Sequence, residues 1–338
     1  MASKLKLAFI GCGAIARYHL DGIKEHAPRA EVTATIDLDA EKANAFAGET
    51  GGTAFTSLEE ALEKGDFDAV DIMLPHDLHE AVAAQCFDAG KHVLLEKPMS
   101  LELASCDRII GAAKDAGTVF MVAENSQYWP EIVKAKEVIE DGAIGEIITA
   151  RAAFTYEFDP YWFKEESPWR YDKKRAGGGI TIDGGSHWIR PLRMWMGEIE
   201  EVIGVLGYPL ADMEGESLSR SLLRFQSGKT AVLDAMMIDT VFAPDAWWRV
   251  TGTKGELTID PGFEGALRLF DEDHREGQML MEPKGYAQSF GPEIADFAAA
   301  VLDGKQLEAA PEHALGELRT ALAIYRSAET RMWEKVWS

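Results

Sequence analysis

Cationic residues are scarce in this chain: 34 Lys and Arg stand against 57 Asp and Glu in 338 residues, a formal charge of −23. Nucleic acids and anionic membranes both select a basic footprint, so both are excluded as partners. Any anionic ligand must be held by local donors instead. Cysteine is equally sparse. Cys12, Cys86 and Cys106 show no metal-ligand spacing, which excludes a cysteine metal centre and a disulfide framework and points to reduced thiols and a cytoplasmic setting. No apolar run is long enough to span a bilayer, and a strand pattern beginning at Leu5 leaves no room for a leader ahead of it. Internal repeats and low-complexity linkers are lacking too. A chain of this length exceeds what one core usually serves, which implies two domains.

What is present begins at the N-terminus. Leu5 to Ile10 reads as a strand and flows into Gly11-Cys12-Gly13-Ala14-Ile15-Ala16 and then an amphipathic helix. This is a dinucleotide fingerprint in its required context. The first glycine allows a tight turn, the second lets backbone approach a pyrophosphate, and the small Ala16 in the third position lets helix pack on strand. A second strand, Glu31 to Ile36, ends in Asp37, placed to accept hydrogen bonds from the adenosine ribose. A 2′-phosphate would meet like charge there, and Leu38 and Asp39 follow with no basic partner, so NAD is expected over NADP. A helix cap is the competing use of this acid pair, and Asp39 can serve it without displacing Asp37.

Strand and helix patterns alternate up to about residue 124, the signature of a doubly wound parallel sheet. Strands are expected at 53–55, 69–74, 92–95 and 119–123, with helices between them. Ligands bind such sheets beyond the carboxyl ends of the strands, which is where Leu74, Pro75, His76, His79, Glu96, Lys97 and Asn125 fall. From residue 125 onward long alternating runs (146–158, 200–208, 219–225, 230–239, 248–259, 266–270) predict a sheet, with helices near 130–141, 292–302 and 312–333. The expected fold is therefore α/β, with a Rossmann domain over residues 1–124 and a C-terminal α/β domain over 125–338 built on a large, mostly antiparallel open sheet. An open sheet needs its second face covered, which implies a homodimer or homotetramer.

The GCGAIA opening, the Glu96-Lys97-Pro98 triplet, Gly177-Gly178-Gly179 and Asp183-Gly184-Gly185-Ser186-His187 together resemble the Gfo/Idh/MocA family of oxidoreductases, in the right order along nearly the whole chain. The resemblance implies NAD(P)-dependent chemistry on sugars, cyclitols or their derivatives, with Lys97, Asp183 and His187 as catalytic residues. The residue types suit that chemistry. Oxidising a secondary alcohol requires removal of the hydroxyl proton as hydride leaves, and imidazole changes charge near neutral pH. Lys97 can hydrogen-bond the reacting oxygen and contact the nicotinamide ribose. Asp183 precedes His187 by one turn if residues 181–195 are helical, which would put both on one face. Taken singly, a lysine before proline is usually solvated, and an Asp/His pair one turn apart is often a cap or surface pair. Glu96 can be a support for Lys97 rather than a reactant.

The chain departs from the family pattern in places. His76 stands where asparagine is usual, open between a cofactor or substrate contact and a satisfied loop histidine. The segment Glu124-Asn125-Ser126-Gln127-Tyr128-Trp129 lacks the arginine often found there, which weakens the case for a phosphorylated or carboxylated substrate. The stretch 154–174 is rich in aromatics, which stack on sugar C–H faces or fill a core. Both readings stand for the segment, with Tyr128, Trp162, Trp169 and Arg170 as substrate candidates beside Asp183 and His187. Lys173, Lys174 and Arg175 offer either an anion site or solvated charge. The leading functional expectation is an NAD-dependent dehydrogenase or reductase of a ring secondary alcohol. An NAD-retaining glycosidase acting by redox and elimination is the alternative, and a sugar-sensing regulator is a third that the catalytic residues disfavour.

Overall fold

Strands buried on both faces need nearly continuous apolar sequence, and Leu5–Ile10 (β1), Ala69–Ile72 (β4), His92–Glu96 (β5) and Phe120–Ala123 (β6) supply it, with Ala30–Ile36 (β2) and Thr53–Phe55 (β3) beside them. In the computed structural model, which describes residues 3–160, 163–164, 168–243, 246–260 and 265–338, these six strands form one parallel sheet in the order β3-β2-β1-β4-β5-β6. The crossovers are helices Ala14–His26 (α1), Ala40–Thr50 (α2), Leu58–Lys64 (α3), His79–Asp88 (α4) and Leu103–Ala116 (α5). Asp39 caps α2 through the Glu41 and Lys42 N–H groups, as the sequence suggested. Strand order reverses between β1 and β4, and such a switch point opens a crevice at the carboxyl ends of the strands.

The chain divides into two compact units. One comprises Met1–Glu124 together with Phe290–Leu315, and the other Asn125–Ser289 with Gly316–Ser338. The first division falls where composition changes, at 124/125. Residues 290–315, read from the sequence as part of the second domain, belong with the first.

In the second unit, Pro130–Glu140 (α6) leads to Ile147–Glu157 (β7), a short helix Lys173–Ala176 (α7) and the helix Ser186–Met196 (α8). Strands Ile199–Gly207 (β8), Leu218–Phe225 (β9), Thr230–Ile238 (β10), Trp248–Gly252 (β11), Glu256–Ile259 (β12), Leu267–Phe270 (β13) and Gln278–Met281 (β14) follow. The chain continues through Phe290–Asp303 (α9), which belongs to the first unit, His313–Thr330 (α10) and the short strand Glu334–Lys335 (β15). The resulting nine-stranded sheet runs β14-β13-β12-β11-β7-β10-β9-β8-β15. It is antiparallel except where β10 lies parallel to β7. The run 248–259 is a hairpin of the two strands β11 and β12, closed by the Gly252 N–H to the Gly255 carbonyl oxygen around a turn at Lys254-Gly255.

Alternation along β9 and β10 buries one sheet face and leaves the other open. Helix α8 packs on the buried face. Its Trp188 lies 4.1 Å from the Phe154 ring of β7 and stacks at 5.1 Å on Trp248 of β11. The open face mixes Ile148, Val205 and Leu222, all exposed, with the pairs Arg151–Asp234 and Arg224–Glu201. No helix of the described residues is long and apolar enough to cross a membrane.

Candidate active site

The dinucleotide loop owes its shape to a single close approach. Gly11 has φ +94°, and a Cβ there would sit 2.3 Å from the Met73 carbonyl oxygen, so only glycine lets β1 turn against the end of β4. Gly13 differs: a Cβ there would meet nothing within 4 Å. It is the N-cap of α1, with no side-chain cap and no acid in the first turn. Ala14 and Ile15 beside it are partly exposed. The backbone at Gly13 thus opens onto free space at the positive end of a helix, which fits a pyrophosphate.

Asp37, at the end of β2, fits a ribose. Its Oδ2 accepts the Cys12 N–H at 2.8 Å and its Oδ1 accepts the Asp39 N–H at 2.9 Å. Each oxygen keeps a second lone pair for a hydroxyl donor, and Leu38 beside it is 93% exposed. Cys12 is a packing residue. Burial, and then the Asp37 carboxylate, push its thiol up to about 12, so it remains protonated and unreactive at neutral pH.

Beyond β4, Leu74 and Pro75 are half-buried, and His76 opens a short 3-10 turn, 3% exposed with its ring 5.7 Å from that of His79. His79 is fully buried. Its Nδ1 lies 2.9 Å from the Pro98 carbonyl oxygen and its Nε2 2.9 Å from that of Leu74, tying together the loops after β4 and β5. Burial pushes its pKa down against those hydrogen bonds. Its place is behind these loops, where it sets their spacing. Lys97 follows β5, half-buried, ahead of a cis peptide bond to Pro98. Glu96 accepts the Lys97 N–H at 3.0 Å, the supporting use that its position allows.

The second unit carries the other named residues. The expected helix over 181–195 begins only at Ser186, after a tight turn in which a Cβ on Gly185 would sit 2.2 Å from the Thr181 carbonyl oxygen, so that only glycine fits there. Asp183 therefore lies in the turn before α8, and the one-face helical spacing with His187 does not exist. Asp183 instead accepts a hydrogen bond from Arg170 Nε at 2.7 Å, both side chains being largely buried. The Arg170 guanidinium also lies 4.4 Å from the centre of the Trp169 ring. His187 occupies the first turn of α8, 8% exposed, with its ring 5.9 Å from Tyr286. Asn125 is buried and donates to Ser289 Oγ at 2.8 Å, and Tyr128 is 7% exposed beside it in the same 3-10 turn.

Most of the aromatic stretch forms core. Phe154 and Phe163 are buried, with Tyr156, Phe158 and Tyr171 packed against them. Trp162 lies outside the described residues. Lys173 and Lys174 are exposed, as solvated charge is.

Two residues that the sequence reading passed over hold the glycine run in place. A Cβ on Gly179 would sit 1.9 Å from the Glu216 carbonyl oxygen, and one on Gly178 would sit 2.1 Å from the Tyr325 hydroxyl. The buried Glu216 carboxylate accepts the N–H groups of Gly179 (3.0 Å) and Thr181 (2.9 Å) and the Tyr325 hydroxyl (3.0 Å). This carboxylate fixes the chain that leads into Asp183. Arg190 and Arg193 of α8 were missed as well. Arg190 donates to Glu317 at 3.0 Å and to Gln127 at 3.0 Å, while Arg193 is matched to Glu317 and Glu198.

Residues 5–124 match the sequence profile of an oxidoreductase family with an NAD-binding Rossmann fold, and residues 132–258 match the Gfo/Idh/MocA C-terminal domain. The chain is 30% identical over 332 residues to a 1,5-anhydro-D-fructose reductase of Ensifer adhaerens, covering 95% of each protein. It is 28% identical over 310 residues to a dTDP-3,4-didehydro-2,6-dideoxy-alpha-D-glucose 3-reductase of Actinomadura kijaniata, covering 90% of each. It is 27% identical over 335 residues to a myo-inositol 2-dehydrogenase of Thermotoga maritima, covering 97% of each. With a glycine-opened loop shaped for a dinucleotide, a lysine at the end of β5 and the Asp183 and His187 pair in the second unit, this chain belongs to the Gfo/Idh/MocA oxidoreductases.

Proposed function

We propose that this protein is an NAD-dependent oxidoreductase that interconverts a secondary alcohol and a ketone on the ring of a neutral sugar, cyclitol or glycoside. The observation that carries the neutral-ring reading is the pairing of the buried arginines: Arg170 with Asp183, and Arg190 and Arg193 with Glu317. Their charge is already spent on protein carboxylates, and a carboxylate of the Asp183 type suits a hydroxyl donor. Two of the three relatives above carry names of neutral-ring enzymes.

The loop at Gly11–Gly13 and the N-terminus of α1 would hold the cofactor's pyrophosphate, and Asp37 its adenosine ribose. Bound there, NAD supplies the hydride acceptor. His187 takes the hydroxyl proton of the substrate. Lys97 donates a hydrogen bond to the same oxygen and offsets the charge that develops on it. Asp183 accepts a neighbouring hydroxyl and so orients the ring. We assign the open face of the large sheet to self-association as a dimer or tetramer.

The test is a reduction screen with NAD across neutral sugars, inositols, simple glycosides, uronic acids, sugar phosphates and nucleotide-linked sugars, repeated with ketones and NADH. Turnover of neutral rings is expected, with Lys97→Met and His187→Ala each lowering it by about 10²- to 10⁴-fold while cofactor affinity stays within a few fold. Reaction of phosphorylated or nucleotide-linked sugars alone would refute the neutral-ring assignment. Loss of aglycone without net NADH would replace it with redox-assisted glycoside cleavage.

A further inference from the structure

Behind the Lys97 turn, wholly within the first unit, lies a cluster of ionisable groups that the proposed chemistry does not use. His19 of α1 is completely buried. Its Nδ1 is 2.7 Å from Asp71 Oδ2 on β4, and its Nε2 is 3.0 Å from Glu96 Oε1 on β5. The other Glu96 oxygen, Oε2, accepts the backbone N–H of Lys97 at 3.0 Å. One carboxylate therefore joins a buried imidazole to the backbone of the lysine to which the chemistry is assigned. Glu293 of α9 and Glu124 at the end of β6 are buried and act electrostatically on the same cluster, and His79 of α4 feels Glu96. Both Glu293 oxygens are without a hydrogen-bond partner among the described residues.

The geometry fixes where the protons are. A carboxylate only accepts hydrogen bonds, and a neutral imidazole donates only one. Two carboxylate oxygens at hydrogen-bond distance from the two ring nitrogens thus need two protons between them. Imidazole is more basic than a carboxylate by about two pKa units; burial raises Asp71, but the two carboxylates hold the His19 ring well above its ordinary value, which favours both protons on the ring. The surroundings are closely packed: a Cβ on Gly22 of α1 would lie 2.7 Å from the Gly291 nitrogen of α9, and the Phe290 ring is 5.0 Å from that of His19.

We propose that His19 is a positioning residue for Lys97: as an imidazolium clamped between Asp71 and Glu96, it orients the Glu96 carboxylate, which fixes the Lys97 backbone and the direction in which its side chain leaves. This rests on the reading of Lys97 as catalytic. The electrostatics agree with it. Burial lowers the pKa of His19, but the Asp71 and Glu96 carboxylates outweigh burial and hold it well above its ordinary value. Burial raises Glu293 well above the usual carboxylate range; His19 opposes this, and Glu96, Glu124 and Asp71 add to it. Burial thus favours the neutral form of Glu293, which adds no further negative charge to the clamp.

Two substitutions separate the halves of the clamp. His19→Asn can place an amide N–H on Asp71 but falls short of Glu96, whereas His19→Gln can reach Glu96. Three measurements apply: turnover of whichever ring alcohol the screen identifies, the pH profile of Lys97 acetylation by acetic anhydride read by mass spectrometry, and NADH affinity. His19→Asn is expected to shift the Lys97 profile and to lower kcat by about 10- to 100-fold, the scale of a small misplacement at a reacting centre. His19→Gln should restore both towards wild type, and NADH affinity should stay within a few fold in each. Equal losses in the two variants, or a wild-type Lys97 profile in His19→Asn, would overturn the proposal. If neither variant folds, the 15N spectrum of histidine-labelled wild-type protein decides. A His19 ring, assigned by its contacts to Phe290, should show two exchange-protected N–H protons up to pH 8, and a single N–H there overturns the clamp. The spectrum and the acetylation profile need no substrate. A Lys97→Met enzyme that still turns over would sink the catalytic reading of Lys97 without touching the link between His19 and its backbone.

Discussion

Replacing Glu216 by glutamine should loosen the segment that carries Asp183. The Glu216 carboxylate is 2% exposed and accepts three donors, the N–H groups of Gly179 and Thr181 and the Tyr325 hydroxyl. Burial, then the nearby Glu216 carboxylate, hold Tyr325 well above the ordinary phenol range, so its hydroxyl donates at every accessible pH. Glutamine offers one acceptor oxygen and turns its amide N–H₂ against one of the remaining N–H groups. A hydrogen bond to a charged acceptor contributes about 1.5–3 kcal/mol, and a buried donor left unmatched costs about 1–3 kcal/mol. Glu216→Gln should therefore lose roughly 2.5–6 kcal/mol of stability, whereas Tyr325→Phe, which removes one donor and a longer 3.3 Å contact from the Gly179 N–H but leaves both N–H bonds to Glu216 in place, should lose about 1 kcal/mol. Urea unfolding followed by near-ultraviolet circular dichroism, which reports on the packed tryptophans, measures both. Turnover should fall further than stability alone explains, because displacing Asp183 and His187 by about an ångström costs up to about 10²-fold. A Glu216→Gln enzyme within about 0.5 kcal/mol of wild type, or one more stable than Tyr325→Phe, would refute the reasoning.

Three further outcomes follow from the geometry. NADH should bind more tightly than NADPH, since a 2′-phosphate against Asp37 meets repulsion of about 4 kcal/mol at contact distance and an effective dielectric of about 20, before solvent relaxation; fluorescence titration of both cofactors decides this, and Asp37→Ser should narrow the gap. Glu293 has its folded pKa raised, so the stability its neutral form contributes is present below its unfolded value of about 4.3 and is lost as pH rises towards the folded one, by up to about 1.4 kcal/mol per pH unit. Glu293→Gln cannot ionise on unfolding, so its melting temperature relative to wild type should climb between pH 4.5 and pH 7.5; a difference that does not vary with pH would contradict this. Sedimentation at micromolar concentration should give a dimer or tetramer, weakened by charge reversal at exposed Arg220 of the open sheet face, and a monomer would remove the assignment of that face.

Several features were legible because their signals are local. The turn from β1 into α1 spans a handful of residues whose glycines and apolar runs can be read in place, and Asp37 follows at the end of the next strand. Most strands of both sheets announced themselves by apolar runs or by alternation, which need no knowledge of partners, whereas the short β14 and β15 were missed. Other features had a trace that could have been followed. His19 lies on the buried stripe of α1 with Ala16, Leu20 and Ile23, and Asp71 sits inside an apolar strand; a polar residue in such a place needs a buried partner. Gly184 and Gly185 are poor helix formers, which argued against a helix through Asp183.

The sequence by itself determined the chemistry-bearing types and the local frames that present them: the dinucleotide loop, the Asp37 carboxylate, Lys97 after a strand, and an Asp and a His four residues apart. Only the tertiary structure decided what holds those groups. Arg170 pairs with Asp183, Tyr325 reaches Glu216 across 109 residues of chain, α9 joins the nucleotide unit, and β10 lies parallel to β7. These contacts join segments far apart in sequence. Periodicity and turn chemistry report only the conformation of a short stretch, whereas the partner of a buried charge is fixed by which distant backbone the packed core brings within hydrogen-bond reach.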